Sequence, residues 1–315
     1  MRKLSNVECI VYFHVRIFFI IGAYMKKTLI IGPAYVETVA HVNVLPKGNE
    51  DIKILSKEEL VTGAGVTTAR IFQTLGLDYD LIAPYGDGIY GDFVAQSCKT
   101  QNIQLTCHFD GFNGSRYTMQ DKNGDVSQFI MPGVEYEFDR CFTDSIYPEE
   151  IASVCVYGDM MMGDIDSVSD LIETVEDLKK TFYFVPDGCS DSIDTQALEA
   201  MLSFHPTLFL SDSEAYYLSG EYSGELRDTS KHIFEKTHAP VMIFKQGEGV
   251  FVYDGEECYL AQNKDNIDLI QCFSYFLCAK ECGIDQKNAL MFALQYWNAE
   301  IPQITERLKE LIMVK

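Results

Sequence analysis

The chain is poor in basic residues. Lys and Arg number 25 against 47 Asp and Glu, a formal net charge of -22. So acidic a surface repels nucleic acid and anionic membranes, and both are excluded as partners. It also repels free nucleotide at long range, so any ATP site needs local donors and a metal. No CxxC pair occurs among the ten cysteines. Thiols scattered through 315 residues point to a reduced, cytoplasmic protein. Cys278 and Cys282, one helical turn apart, are read as buried free thiols rather than metal ligands. No uninterrupted run of about 20 apolar residues is present, because His14 and Arg16 break the stretch "CIVYFHVRIFFIIGAY". "MKKTLIIG" at Met25 looks like a fresh start feeding a strand. Residues 1–24 are therefore expected to be an over-extended start or leader, with a membrane anchor as the alternative, and residues 25–315 to form the fold. No internal repeat, low-complexity linker or second domain boundary is visible.

What is present is alternation. Apolar runs such as "KKTLIIG", "ASVCVYGDM", "TFYFVPDG", "PTLFLSD" and "APVMIFK" read as strands, separated by helical patterns such as "DSVSDLIETVEDLKK". That order predicts a three-layer α/β/α sandwich around a mostly parallel sheet. The extended segments at about 36–60 and 106–136 have no helix between their strands and are expected to form a small β-sheet lid. "NG" at Asn123 and Gly124 marks a hairpin turn in the second.

Two glycine segments carry the first chemical signals. "TGAGVTTA" places Gly63 and Gly65 before a helix, where backbone can lie close to a ligand, although a tight turn explains it equally well. It is not the phosphate loop that ends in GK[ST]. "YGDGIYGDFV" follows a strand and opens a helix. Its Asp87 and Asp92 are read first as turn-forming and helix-capping acids.

In these segments, and in their order, the chain resembles the ribokinase-like sugar kinases of the PfkB carbohydrate kinase family. The resemblance covers about residues 25–295. It implies that Glu37, Gly63, Gly65, Thr67 and Arg116 bind substrate. "LSDSEAYYLSG" resembles the family's NxxE segment, with Ser211 in place of Asn and Glu214 retained to organise magnesium waters. A solvated acid in a first helical turn is the competing reading of Glu214. "IFKQGEGVFVYDG" resembles the strand and turn beside the nucleotide and brings Lys245, Gly247 and Gly249 there. Lys245 could equally lie along the sheet edge.

The family's last landmark, a D-T-x-G-A-G-D segment, supplies anion-holding backbone N–H groups and the catalytic base. In register here stands "DNIDLIQCF". Asp268, Leu269 and Ile270 replace Gly-Ala-Gly, and Gln271 replaces the Asp. Gln cannot hold a proton near neutral pH, and loss of a general base costs about 10²–10⁴ in rate. Leu and Ile resist glycine geometry and fill the space of phosphate oxygens. Asp268 adds a negative charge there. Asp265 or Asp268 as a displaced base is the alternative. Downstream, Phe292, Tyr296 and Trp297 stand where small residues usually pack on adenine, and denote either a filled pocket or a core face.

Two functions follow. One is an ATP-dependent kinase using Mg·ATP on a sugar or nucleoside hydroxyl, impaired at Gln271. The other is a pseudokinase acting as a sugar-sensing or partner-binding subunit. A homodimer through the lid is implied by the resemblance.

Overall fold

The computed structural model describes residues 26–220, 224–263, 268–296, 299 and 301–313. The expected leader at 1–24, Asp265 and Trp297 lie outside the described residues. An eight-stranded sheet runs in the order β14-β13-β12-β11-β10-β9-β1-β4. Its parallel strands are β1 (Lys27–Ile31), β4 (Tyr79–Ile82), β9 (Ile151–Tyr157), β10 (Thr181–Val185), β11 (Thr207–Ser211) and β12 (Val241–Lys245). A hairpin of β13 (Gly249–Tyr253) and β14 (Cys258–Gln262) continues it antiparallel.

These strands are almost wholly apolar because both faces of the sheet are covered. Ile30, Cys155, Tyr183, Phe209 and Met242 enter one core. Residues of alternate parity, such as Leu29, Val154, Phe184, Leu208 and Ile243, enter the other. The first core is closed by α1 (Ala64–Leu75), α2 (Gly88–Thr100), α7 (Leu269–Glu281), α8 (Gln286–Tyr296) and α9 (Ile301–Met313). The second is closed by α3 (Ile165–Leu178), α4 (Thr195–Ser203), α5 (Asp212–Ser219) and α6 (Leu226–Thr237). Cys278 is a buried free thiol, whereas Cys282 is only half-buried; no group of three or more side chains that could hold a metal occurs among the described residues. No helix among them is long and apolar enough to cross a membrane.

A second sheet in the order β3-β2-β7-β8 stands where the lid is expected. It comprises β2 (Tyr35–Val42), β3 (Ile54–Thr62), β7 (Ser115–Gln120) and β8 (Val126–Met131). The first part of the 106–136 segment departs from that expectation. There β6 (His108–Phe112) pairs with β5 (Tyr85–Asp87) instead of joining the lid. Asn113 makes the break: its side chain accepts from Gly86 N–H at 3.0 Å and donates to the Ala34 carbonyl at 3.2 Å. Buried Glu135 then accepts from Gly114 N–H at 2.6 Å and Gly133 N–H at 3.1 Å, which pins the roots of β7 and β8 together. Asp87 precedes α2, but its side chain does not cap that helix; it pairs with His108 Nε2 at 3.2 Å. Asp92 is exposed on α2.

Candidate functional site

In open α/β sheets, ligands collect beyond the carboxyl ends of the parallel strands. Here those ends carry Gly32 after β1, Asp159 after β9, Asp187 after β10, Ser211 at the end of β11 and Lys245 at the end of β12. The lid adds Tyr35, Glu37 and Arg116.

Glu37 and Arg116 face each other in register across β2 and β7. The Glu37 carboxylate accepts from the Thr118 hydroxyl. The Arg116 guanidinium sits 4.7 Å from the centre of the Tyr35 ring, a cation–π contact. Its Nε is buried and has no hydrogen-bond partner. Asp159 is 5% exposed. Its Oδ1 accepts from the Cys189 thiol at 3.3 Å, while Oδ2 is buried with no partner. Arg116 lies within electrostatic reach of Asp159 and Asp187. Burial opposes its charge, but Tyr35, Asp159, Tyr136 and Asp187 outweigh this and raise its pKa further. Burial pushes the Asp159 carboxyl up, against the Cys189 hydrogen bond and Arg116. Asp187 has φ 52°, the left-handed region. Burial, followed by the facing Asp159 and Glu214 carboxylates, holds its carboxyl well above the usual range despite Arg116.

Sequence reasoning placed Glu37 and Arg116 in this group but missed Tyr35, Asp159, Asp187 and Cys189. A signal was present: both aspartates end apolar runs that read as strands, at the end of the sheet where ligands gather. Gly63 and Gly65 also have a packing role. Gly63 has φ +111°, and a Cβ on it would lie 2.3 Å from the Pro33 carbonyl oxygen. A Cβ on Gly65 would lie 2.3 Å from the Gly32 carbonyl oxygen. Both glycines are thus required for the start of α1 to pack on the turn after β1. Thr67 is half-buried on that helix, and its N–H donates to Gly63 O at 2.9 Å. Its neighbour Thr68 is fully buried and joins the hydroxyls of Tyr157 and Ser274, so α1, β9 and α7 meet at three hydroxyl groups.

The opposite side of the cleft differs in kind. Glu214 is 4% exposed and closes a capping box with Ser211 at the start of α5. Its Oε2 accepts from Ser211 N–H and hydroxyl, each at 2.8 Å. Its Oε1 accepts from Gly188 N–H at 2.7 Å and Ser190 Oγ at 3.3 Å. Four donors therefore surround the one carboxylate. Asp268 is the N-cap of α7, and its Oδ1 accepts from Gln271 N–H at 2.8 Å. Ile270 is buried in the core and half-buried Leu269 packs against it. Gln271 is half-buried. Lys245 pairs with Glu248 at 2.8 Å across the turn that contains Gly247 and Gly249. Phe292 is 2% exposed and stacks on Tyr296 with ring centres 5.4 Å apart, so this pair is a core face. Of the N–H groups at the start of α7, that of Gln271 is taken by Asp268, and the Glu214 carboxylate already accepts from four donors.

A mostly parallel α/β/α sandwich with a β lid over its carboxylate-lined strand ends has the architecture of small-molecule kinases. The family model described as pfkB family carbohydrate kinase matches residues 26–268, and the chain belongs to that family. No curated protein matches the chain. Among solved structures, a ribokinase from Giardia lamblia aligns with a TM-score of 0.74 at 14% identity, covering 90% of this chain and 99% of that one. A Methanocaldococcus jannaschii nucleoside kinase aligns at 0.67 and 16% identity, covering 91% and 99%. An Arabidopsis thaliana ribokinase complexed with ribose and ATP aligns at 0.67 and 14% identity, covering 91% and 98%. At these identities the likeness establishes the shared fold.

Proposed function

We propose that the chain binds a sugar or nucleoside between the lid and the strand ends, and that phosphoryl transfer to it is impaired. The observation that carries this reading is the Asp268 carboxylate on Gln271 N–H, at the place where the family resemblance puts the phosphate. A helix N-terminus attracts anions through unsatisfied N–H groups. Here its own carboxylate takes one of them, and Gln271 brings no base. The chain then acts as a ligand-sensing or partner-binding pseudokinase. Exposed Leu55, Phe129, Ile130 and Met131 on the outer lid strands suit a homodimer through the lid.

The second reading, a working ATP-dependent kinase, draws on retained Glu214 and on the complex of the Arabidopsis neighbour with ribose and ATP. Calorimetric titration of Mg·ATP into the full chain separates the two. Absence of binding at millimolar nucleotide is the expected result. Binding, followed by turnover with a sugar and nucleoside panel, would replace the first reading with the second.

A further inference from the structure

A second cavity opens between the loop that follows β10 and the helix α5. Among the described residues, none from the lid, from α7 or from the turn between β12 and β13 lines it. Its volume is about 560 Å³, in the usual range of small-molecule sites. The walls are Ser190 and Asp191 of the loop, and Ser213, Glu214, Tyr216 and Tyr217 of the helix. Gly188 and Gly220 border the same space, and a Cβ on either would meet no atom within 4 Å.

The polar groups of these walls are of one kind. Glu214 already accepts from four donors, so it adds negative charge rather than a free acceptor. Asp191 is exposed; its Oδ1 accepts from the Ser192 hydroxyl at 3.2 Å, and its Oδ2 has no partner among the described residues. The Tyr216 hydroxyl donates to the Gly224 carbonyl at 3.1 Å, which fixes that side chain. Tyr217 is 47% exposed. No Lys, Arg or His is among the lining residues. Two lysines on neighbouring elements are engaged elsewhere: Lys236 Nζ donates to the Leu218 carbonyl at 3.0 Å, and Lys245 pairs with Glu248 at 2.8 Å.

We propose that this cavity is a binding site for a guanidinium group, its plane on the Tyr217 ring and its edge on Asp191. The site is independent of what the cleft under the lid binds. An anion would meet Asp191 and Glu214 with no cation to receive it. A neutral ring covers the aromatic surface but leaves the Asp191 carboxylate unpaired. An ammonium is a compact, strongly hydrated charge with no face to stack. A guanidinium is planar and weakly hydrated, stacks on aromatic faces and offers a fork of donors to a carboxylate. It therefore uses the ring and the acid together. The group arrives on a small guanidine or as the arginine side chain of a partner, and the chemistry of recognition is the same.

The test is calorimetry on the full chain at low salt with agmatine, with arginine capped at both ends, and with capped lysine and capped citrulline. Citrulline keeps the shape and lacks the charge. Agmatine or capped arginine is expected to bind at least about tenfold more tightly than capped citrulline, and more tightly than capped lysine. Asp191→Asn and Tyr217→Leu, each with folding checked by its melting curve, should each weaken that binding by about tenfold. Binding of agmatine alone assigns the site to a small guanidine, and binding of capped arginine assigns it to a side chain. The proposal is overturned if neither binds at about 10 mM, or if lysine or citrulline matches them. It is overturned equally if both variants bind as the parent does, since the guanidinium would then lie elsewhere.

Discussion

The two walls of the cleft are built from the same residue types and are in opposite states. On one side, Arg116 of the lid and Asp159 beyond β9 each keep a buried polar atom with no partner in the protein. On the α7 wall, Asp268 caps its own helix and Glu214 is surrounded by four donors. An open valence in a buried site is unfavourable without a ligand, whereas a closed one stabilises the chain alone. The contrast separates a side whose polar groups are unpaired within the protein from one whose polar groups are turned inward to support the fold.

Four changes probe this contrast. The largest effect is expected from replacing the loop as a unit, with Asp268→Gly, Leu269→Ala, Ile270→Gly and Gln271→Asp together. Turnover of Mg·ATP with a sugar and nucleoside panel should exceed that of Gln271→Asp alone by about 10²–10⁴, because the single change restores a base but leaves the anion site filled. A single mutant that equals the quadruple one would erase the distinction between the walls.

Glu214→Ala should destabilise the chain by about 3 kcal/mol in denaturant unfolding, since it strands the donors of Ser211 and Gly188. A loss under about 0.5 kcal/mol would mean that Glu214 is not built into the fold. Asp268→Ala removes an N-cap and should cost about 1 kcal/mol. It also frees Gln271 N–H, so sulfate should raise the melting temperature of the variant more than that of the parent.

The smallest effect is a gain. Burial and the facing carboxylates raise the pKa of Asp187 in the folded chain, so the folded state keeps a proton that the unfolded state has released. Stability then falls as pH rises from the ordinary carboxylate value through the raised one. Asp187→Asn removes that loss, and Asn tolerates the positive φ. Its melting temperature should exceed the parent's at pH 8, by roughly 2–4 °C per kcal/mol recovered, and the gain should fade toward pH 4.

Much of the architecture was legible in the sequence. Continuous apolar runs alternating with amphipathic patterns gave the sandwich, and paired extended segments gave the lid. The substitutions in "DLIQ" were legible too, because that loop is local: four consecutive residues at one helix start. The Asp268 cap needed coordinates to separate it from a free charge. The Arg116, Asp159 and Asp187 group is spread over 72 positions of the chain and forms only when three elements converge. Gly63 and Gly65 show the reverse limit. Their pattern was conspicuous, and close packing on the turn at Gly32 and Pro33 requires it whether or not a ligand lies there.

The cap on α7 also sets how the nucleotide wall responds to its surroundings. Asp268 is covalently attached three residues from the amide that it fills. A tethered oxygen needs no encounter, so a dissolved anion binding here has first to displace it. On the pseudokinase reading proposed above, the same competition weakens anion binding at this helix end by the worth of the cap, about 1 kcal/mol.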